Sequence, residues 1–339
     1  MPEIIINTSG KAYKNSSNKI LKAPQRCGVS IGNLIGSIDV NGTLNMPPSF
    51  VGIDFSGIED VAAYALYYRF MALNGPIGPV SFPDLEDISG QYGLGYAFNS
   101  NKGVTSVSFP SLETVSGQYG MSNSFQSCTN LASVSLPELT SVSGYYALPN
   151  AFTGCSNLTS ISLPKLTTIS GNNCMSGTFS SCSNLINISL PLLQTISGTS
   201  SMSSCFSSCG NLATLEFPEL TTVSGNSVFS SLVAYDSMFT VLRFPKLSSI
   251  TGTQTFSSCF QSCARLTDVY FNALTTTSFG SNINQFSGMF ATNTGSTSLA
   301  FTMHLPSNLE STIQSLTGYP NFGATSGRLT LSYDLPATS

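Results

Sequence analysis

The sequence is poor in charged side chains and contains no tryptophan. Charged residues make up 8% of the 339 residues, whereas 41% are hydrophobic. The surface that faces water must therefore consist largely of Ser, Thr, Asn and Gly, which differs from the surface of an ordinary cytosolic protein. No charge lies between Lys165 and Glu216. That stretch is nevertheless too rich in hydroxyl and amide side chains to predict insertion into a membrane.

Basic residues are few, and they are unevenly distributed. Residues 1–26 contain five basic residues and one acidic residue, a net charge of +4, and the remaining seven basic and fifteen acidic residues give −8. A negatively charged body repels phosphate backbones, so the sequence predicts no nucleic-acid partner. The start of the chain also lacks a basic region followed by a long apolar run. If the protein acts outside the cell, we therefore expect a trimmed leader or export by another route, such as release of a virus particle.

The chain contains a repeat with a fixed period. Prolines recur with a constant period of 27, at Pro83, Pro110, Pro137, Pro164, Pro191, Pro218 and Pro245. A fixed period of this size predicts a solenoid, in which each unit buries its apolar edge against its neighbours. The sequence therefore predicts one elongated repeat domain rather than several globular domains.

Each unit has the same inward-facing positions. Leu158, Ile161 and Leu163 precede Pro164 in the pattern L-x-x-L-x-L-P, which predicts a short parallel strand that the proline ends. A second apolar edge, a fixed glycine, and columns of Leu or Met, Phe and Cys follow. The column Cys128, Cys155, Cys182, Cys209 and Cys263 predicts buried free thiols, because parallel neighbours about 4.8 Å apart do not fit a disulfide. The pairs Cys205/Cys209 and Cys259/Cys263 lie two turns apart, about 10 Å, which is too far to share a zinc ion. Asp236 interrupts this column, and we expect a local bulge there.

The repeats resemble a known family. The segment A-F-x-x-C-x-N from Ala151 to Asn157, followed by the L-x-x-L-x-L-P strand, is similar to the BspA-like leucine-rich repeat, and the resemblance covers roughly residues 53–305. It implies a curved solenoid with short parallel strands on one, concave face and mostly loop or 3-10 structure on the other. It also implies an extracellular or surface adhesion protein of bacteria, protists or their phages, with no catalytic residues. We expect no cofactor, and the cysteine geometry predicts no metal site.

The ends of the chain differ from the repeats, as a stack with an exposed core requires. We expect a non-repeat lead and cap over residues 1–52, built from short strands and a basic segment, and the solenoid over residues 53–305. Residues 306–339 predict a C-terminal cap. Within it, Ser307 and Glu310 have the spacing of a capping box at the start of a capping helix, and residues 328–333 predict a closing strand.

Two groups of residues are candidate contact sites. The outward strand column holds serine from Ser81 to Ser189 and then changes to Glu216, Arg243 and Tyr270, with Asp268 on the same face. This group predicts a binding patch, and the alternative is a simple surface ion pair between Glu216 and Arg243. The second group is Tyr92, Tyr119 and Tyr146, one repeat apart. It predicts either an aromatic strip that stacks on sugar rings or a packed convex edge.

These features favour a non-enzymatic binding or adhesion protein that recognises an extracellular protein or glycan at a cell surface. The alternative is a phage virion component, such as a tail or host-recognition protein. A polysaccharide-acting enzyme on a β-solenoid is a minor alternative. The acidic residues Asp84, Glu86, Asp87, Glu113 and Glu138 are candidates for glycosidase chemistry or for calcium binding. A solvated rim is the favoured explanation of these carboxylates. The ligand and the oligomeric state are not specified by the sequence.

Overall fold

The computed structural model describes most of the repeat array and parts of both ends. The described residues are 77–275, 300–315 and 329–337, together with shorter pieces at 5–6, 30–31, 34–35, 37–38, 44–45, 53–55, 59–61, 63–68, 70–71, 286 and 288–289. The basic residues of the lead, Lys11, Lys14, Lys19, Lys22 and Arg26, lie outside the described residues. The predicted domain boundaries therefore stay predictions.

The described chain consists mainly of short strands. Those before the regular repeats are β1 (Ile5–Ile6), β2 (Ser30–Ile31), β3 (Leu34–Ile35), β4 (Ser37–Ile38), β5 (Leu44–Asn45) and β6 (Ile53–Asp54). Those of the repeats are β7 (Gly78–Ser81), β8 (Val104–Ser108), β9 (Thr114–Val115), β10 (Ser133–Ser135), β11 (Ser141–Val142), β12 (Ser160–Ser162), β13 (Thr168–Ile169), β14 (Asn187–Ser189), β15 (Thr195–Ile196), β16 (Thr214–Glu216), β17 (Thr222–Val223), β18 (Val241–Phe244), β19 (Ser249–Ile250) and β20 (Asp268–Phe271). The last two are β21 (Phe301–Pro306) and β22 (Leu329–Leu335).

The first side of each turn is the predicted strand before the proline. Strands β6, β7, β8 and β10 pair in parallel, β12 pairs with β14, and β16, β18, β20, β21 and β22 form a five-stranded parallel sheet. The register between turns equals the period of the prolines, as in the pairing of Ser133 with Ser106. Apolar residues of the strands point into the core and serines point out, as in Ser160–Ser162, where only Ile161 is buried. The predicted parallel β-solenoid is confirmed.

The second side consists of two-residue strands after the proline. Strands β9, β11, β13, β15, β17 and β19 form a six-stranded parallel sheet in the same register. The recurring glycine follows each of these strands. At Gly117, a Cβ would lie 2.6 Å from the carbonyl oxygen of Gly90, the equivalent glycine of the preceding turn. The close approach of neighbouring backbones therefore requires glycine in this column.

The third side is a chain of tight turns that also bonds to its neighbours. The amide of Gly95 donates to the carbonyl of Tyr92 within the turn, whereas the amide of Leu94 donates to Gly120 of the next turn at 2.7 Å. This alternation repeats along the segment. Every fourth residue adopts the left-handed conformation, as at Tyr92, Tyr96 and Ser100, where φ is between 52° and 57°. The segment that the sequence predicts as loop or 3-10 structure is thus an ordered ladder of turns.

Aromatic rings and thiols fill the core between the three sides. The rings of Phe98, Phe125, Phe152, Phe179 and Phe206 stack in parallel with centroids 5.1 to 5.9 Å apart. Each thiol of the cysteine column donates to the carbonyl at the phenylalanine position of the preceding turn, as Cys155 does to Phe125 at 3.2 Å. Eight cysteines are described, and all eight are free and buried. The predicted buried thiols are therefore confirmed for these eight residues.

The expected bulge at Asp236 is wrong. The amide of Ser208 donates to Ala234 and that of Tyr235 donates to Gln261, so the inter-turn ladder continues on both sides of Asp236 without a change of register. Asp236 occupies the cysteine position, fully buried. Hydrogen bonds to the turns above and below hold the backbone in its regular conformation. The change from cysteine to aspartate therefore alters the side chain at this position and not the path of the backbone.

The C-terminal end combines a long turn, a short helix and a last strand. Thr302 of β21 pairs with Asp268 of β20, so this turn is longer than the regular repeat. A 3-10 turn at Ser307–Leu309 leads into helix α1 (Glu310–Ser315). The predicted capping box is wrong, because Pro306 occupies the N-cap and no side chain caps the turn. Strand β22 adds in parallel to β21. Over the described residues, no helix has the length and apolar character needed to span a bilayer.

Candidate functional site

The predicted contact patch lies on the outward face of the five-stranded sheet. Glu216 pairs with Arg243, Arg243 with Tyr270, and Tyr270 with His304 at equivalent positions of β16, β18, β20 and β21. The parallel register therefore places four different side chains side by side. We refer to Glu216, Arg243, Tyr270 and His304 as the contact row.

Arg243 is held by an aromatic ring rather than by an acid. Its guanidinium carbon lies 5.0 Å from the centroid of the Tyr270 ring, within the range of a cation–π interaction. Among the described residues, Arg243 forms no ion pair, although Glu216 is its neighbour on the next strand. The alternative interpretation of Glu216 and Arg243 as a simple ion pair is therefore wrong.

Two carboxylates fix His304 from opposite sides of its ring. The Nε2 atom lies 3.0 Å from Oδ1 of Asp268, and the Nδ1 atom lies 2.9 Å from Oδ2 of Asp334 on β22. Both ring nitrogens lie within hydrogen-bond distance of a carboxylate oxygen, so the two contacts fix the orientation of the ring. Partial burial raises the pKa of Asp334, but hydrogen bonds from His304 and the backbone outweigh it, and the net effect lowers this pKa.

The sequence did not identify His304 or Asp334 as members of this site. His304 is the only histidine, but the turn between it and Tyr270 is longer than the regular repeat, so a count by the regular period places a different residue next to Tyr270. The only available signal was the alternation of inward and outward residues along the strand. Phe301, Met303 and Leu305 are buried, so His304, between Met303 and Leu305, lies on the outward side. The predicted members Glu216, Arg243, Asp268 and Tyr270 do lie together.

The second candidate group forms a stacked aromatic strip. Tyr64, Tyr92, Tyr119 and Tyr146 stack with centroids 5.3, 4.6 and 5.3 Å apart, and their planes deviate by 7° to 23°. We refer to these four residues as the tyrosine strip. Each ring covers the face of the next, so the ring edges and hydroxyl groups face the solvent. This arrangement favours the packed-edge interpretation over stacking on sugar rings.

Further tyrosine rings pack against the tyrosine strip. Tyr67 packs edge-on against Tyr64 and Tyr92, and Tyr145 packs edge-on against Tyr119. For Tyr92, burial first and repulsion from the Tyr119 phenolate second raise the pKa above its ordinary value. The phenol of Tyr92 therefore stays neutral at physiological pH and acts as a hydroxyl group.

The remaining chemical groups are arranged for packing. Burial raises the pKa of Cys128, Cys174 and Cys182 to about 12, so these thiols carry almost no reactive thiolate at neutral pH. Asp87 of the acidic rim accepts hydrogen bonds from Ser116 at 3.1 and 3.2 Å. In the part of the chain that the structure describes, no three His, Cys, Asp or Glu residues lie close enough to hold a metal ion.

Comparison with solved structures finds leucine-rich-repeat proteins. A leucine-rich repeat protein from Bacteroides ovatus is 15% identical, with coverage of 85% of this chain and 94% of that chain and a TM-score of 0.25. The leucine-rich repeat protein of T. pallidum is 18% identical, with coverage of 83% and 99% and a TM-score of 0.36. A leucine rich cell surface protein from Faecalibacterium prausnitzii is 17% identical, with coverage of 96% and 92% and a TM-score of 0.30.

Comparison of sequences gives the family. No curated protein matches the chain. The family model described as the BspA type leucine rich repeat region matches six copies, over residues 94–235 and 203–293. These ranges include more than half of the chain and contain the phenylalanine and cysteine columns and every proline of the 27-residue series except Pro83. The chain therefore belongs to the BspA-type leucine-rich-repeat family.

Proposed function

We propose that this protein is a non-enzymatic recognition protein that binds an extracellular protein or glycan through the contact row. The observation that carries the proposal is the change of the outward strand column from serine to Glu216, Arg243, Tyr270 and His304 on adjacent strands. Inward packing does not require these outward residues. Arginine and tyrosine are among the side chains most enriched at the positions that dominate binding energy.

The arrangement of the contact row supports binding rather than catalysis. Its base, His304, is held on both ring nitrogens by Asp268 and Asp334, so neither nitrogen faces a hydroxyl or thiol nucleophile. Arg243 and Tyr270 are fixed on strands that pair on both sides, which keeps the surface in one shape before a partner arrives. Preorganised surfaces lose little conformational entropy on binding.

We further propose that the protein acts at a cell surface or elsewhere outside the cell. This location follows from the resemblance of the repeats to those of surface adhesion proteins. A place in a virus particle, such as a tail or host-recognition protein, stays a prediction of the sequence. Genes for tail proteins beside the gene for this chain would favour it.

The test is binding of the labelled full chain to a glycan array and to intact cells. The variants are Arg243→Ala and Tyr270→Ala, with Lys246→Ala as the matched control. Lys246 is an exposed cation that follows Arg243 on the same turn and is paired with Glu219. We expect at least a tenfold loss of binding for the first two variants and no loss for the control. Retained binding in both row variants, or no binding of the wild-type chain to any surface, would contradict the proposal.

A further inference from the structure

The contact row contains one strong hydrogen-bond donor that has no anionic acceptor among the described residues. The side chain of Arg243 is half-buried and lies over Tyr270. Over the same residues, it donates to no carboxylate and forms no ion pair. A guanidinium group carries five N–H donors in one plane and matches a planar oxyanion in two-point contact. The geometry therefore leaves a site for such an anion beside Arg243.

The backbone around Arg243 is not available to a partner. Strand β18 pairs with β16 on one side and with β20 on the other, and β20 pairs with β21. An extended peptide that adds to a sheet needs a free strand edge. The partner must therefore be bound by side chains, which favours a compact ligand with its own polar groups over an added peptide strand.

The charges beside Arg243 limit the charge of that ligand. Glu216 lies next to Arg243 in the row, and Asp268 lies on the same face of the adjacent strand. Two carboxylates near one guanidinium repel a doubly charged phosphate more strongly than a singly charged carboxylate. Glu216 also offers two acceptor oxygens without an ion-pair partner in the described chain. The ligand that fits has one carboxylate and several hydroxyl donors.

Hydroxyl side chains lie beside part of the contact row. The outward column is serine in the preceding turns, and the outward column just before the row holds Thr214, Val241, Asp268 and Thr302. The phenol ring of Tyr270 has Arg243 on one face and His304 on the other, so its edge and hydroxyl group are exposed rather than its face. A ligand is therefore bound by hydrogen bonds at the edge of the row and not by stacking.

We propose that the contact row binds an acidic sugar residue, whose carboxylate pairs with Arg243 and whose hydroxyl groups donate to Glu216. This inference rests on the proposed function and narrows its partner to a glycan that carries carboxylated sugars. His304 acts as a positioning residue, since it holds the second face of Tyr270 and is itself held by Asp268 and Asp334.

The test uses calorimetric titration of the full chain with pairs of probes that differ in one feature. The acidic probes are an oligogalacturonate, a glucuronate-containing oligosaccharide and sialyllactose. Their neutral counterparts are the methyl-esterified oligogalacturonate, the carboxyl-reduced oligosaccharide and lactose. A tetraglutamate peptide tests the other source of carboxylates. We expect at least one acidic sugar to bind, with at least tenfold weaker binding of its neutral counterpart and of the peptide.

The variants for this test separate charge from shape. Arg243→Gln removes the guanidinium and should weaken binding at least tenfold, Arg243→Lys keeps the charge and should be intermediate, and Lys246→Gln is the matched control. Binding of none of the acidic sugars, equal binding of a neutral counterpart, preference for the peptide, or full binding by Arg243→Gln would overturn the inference. If array or cell binding still depended on Arg243 and Tyr270, the proposed function would stand without it.

Discussion

The imidazole ring of His304 lies flat against the phenol ring of Tyr270, with centroids 4.2 Å apart and planes that differ by 5°. The two residues lie on successive turns, and the parallel pairing of β20 with β21 brings them together. Arg243 covers the other face of Tyr270. Asp334 on β22 contacts His304, His304 stacks on Tyr270, and Tyr270 contacts Arg243. Strand β22 therefore helps to position the guanidinium of Arg243, three strands away.

The first prediction concerns the replacement of His304. His304→Ala removes both the ring stack and the hydrogen bonds to Asp268 and Asp334, and we expect the free energy of unfolding to fall by about 1–3 kcal/mol. His304→Phe keeps the stack and should recover about 0.5–1.5 kcal/mol of this loss. Denaturant unfolding at neutral pH measures both values.

The pH dependence of the His304 variants provides the control. The lowered pKa of Asp334 means that its contribution is present above the ordinary carboxyl pKa and is lost as the pH falls through the lowered value. The difference between the wild-type chain and His304→Ala should therefore shrink in strong acid. A His304→Ala variant as stable as the wild-type chain at neutral pH would show that the two carboxylates do not depend on His304.

Asp236 is a buried acid at a position where the other turns have cysteine. Neither carboxyl oxygen has a hydrogen-bond partner among the described residues, and its neighbours in the column are the thiols of Cys209 and Cys263. Burial raises the pKa of Asp236 to about 9 from an ordinary value of 3.8, and the nearby backbone amide of Cys209 partly offsets this. At neutral pH the side chain is therefore a neutral acid in the core.

The second prediction is that Asp236 makes stability fall as the pH rises. Between about pH 4 and about pH 9 the unfolded chain has released this proton and the folded chain keeps it, so the folded state loses about 1.4 kcal/mol per pH unit from this group. Asp236→Cys should be about 1–4 kcal/mol more stable than the wild-type chain at pH 8. Denaturant unfolding between pH 5 and pH 8 measures the difference.

Asp236→Asn is the control for this prediction, since it keeps the shape of the side chain and cannot ionise. The stability of the wild-type chain relative to Asp236→Asn should therefore fall as the pH rises, because all other titrating groups are common to both chains. A difference that stays constant from pH 5 to pH 8 would show that Asp236 is not protonated in the folded chain.

Most of the core and the strand face could be predicted because a parallel stack makes residues one period apart into spatial neighbours. This reasoning placed the buried columns, such as that of Phe152, and brought Glu216, Arg243 and Tyr270 together. It failed where the period changes: the longer turn after β20 hid His304. At Asp236, the expected bulge assumed that an unfavourable side chain would move the backbone. The turns on either side fix that backbone through two ladders of hydrogen bonds.

The third side could not be predicted from residue types alone. Its left-handed positions hold Tyr119, Tyr146, Asn173, Ser200 and Gln254 in one column, and these types share no hydrophobic pattern. The conformation follows from the pattern of hydrogen bonds between turns rather than from a local preference of each residue. Similarly, Ser307 and Glu310 have the spacing of a capping box, but Pro306 at the N-cap precedes a 3-10 turn without a side-chain cap.

The third prediction tests the glycine column. In Gly117→Ala, the new Cβ would lie 2.6 Å from the carbonyl oxygen of Gly90 and 2.8 Å from the backbone of Ser89. Backbone atoms on a neighbouring turn cannot move away without breaking the ladder, so we expect a loss of about 1–3 kcal/mol from overpacking. Gly210→Ala is the matched control, because no described atom lies within 4 Å of its Cβ. Thermal unfolding that changed equally in both variants would show that close approach is not the cause.

The fourth prediction separates the backbone of the tyrosine strip from its surface. Tyr119 has a φ of 56° and stacks between Tyr92 and Tyr146. Neither Tyr119→Asn nor Tyr119→Val can stack, but asparagine tolerates the left-handed conformation and a β-branched residue does not. Tyr119→Val should therefore be about 1–2 kcal/mol less stable than Tyr119→Asn. Denaturant unfolding of the two variants measures this difference, in which the loss of stacking cancels.

Because the ring faces are covered by neighbouring tyrosines, Tyr119→Asn should also keep the glycan and cell binding of the wild-type chain. A variant that folded normally and lost that binding would identify the tyrosine strip, rather than the contact row, as the recognition surface.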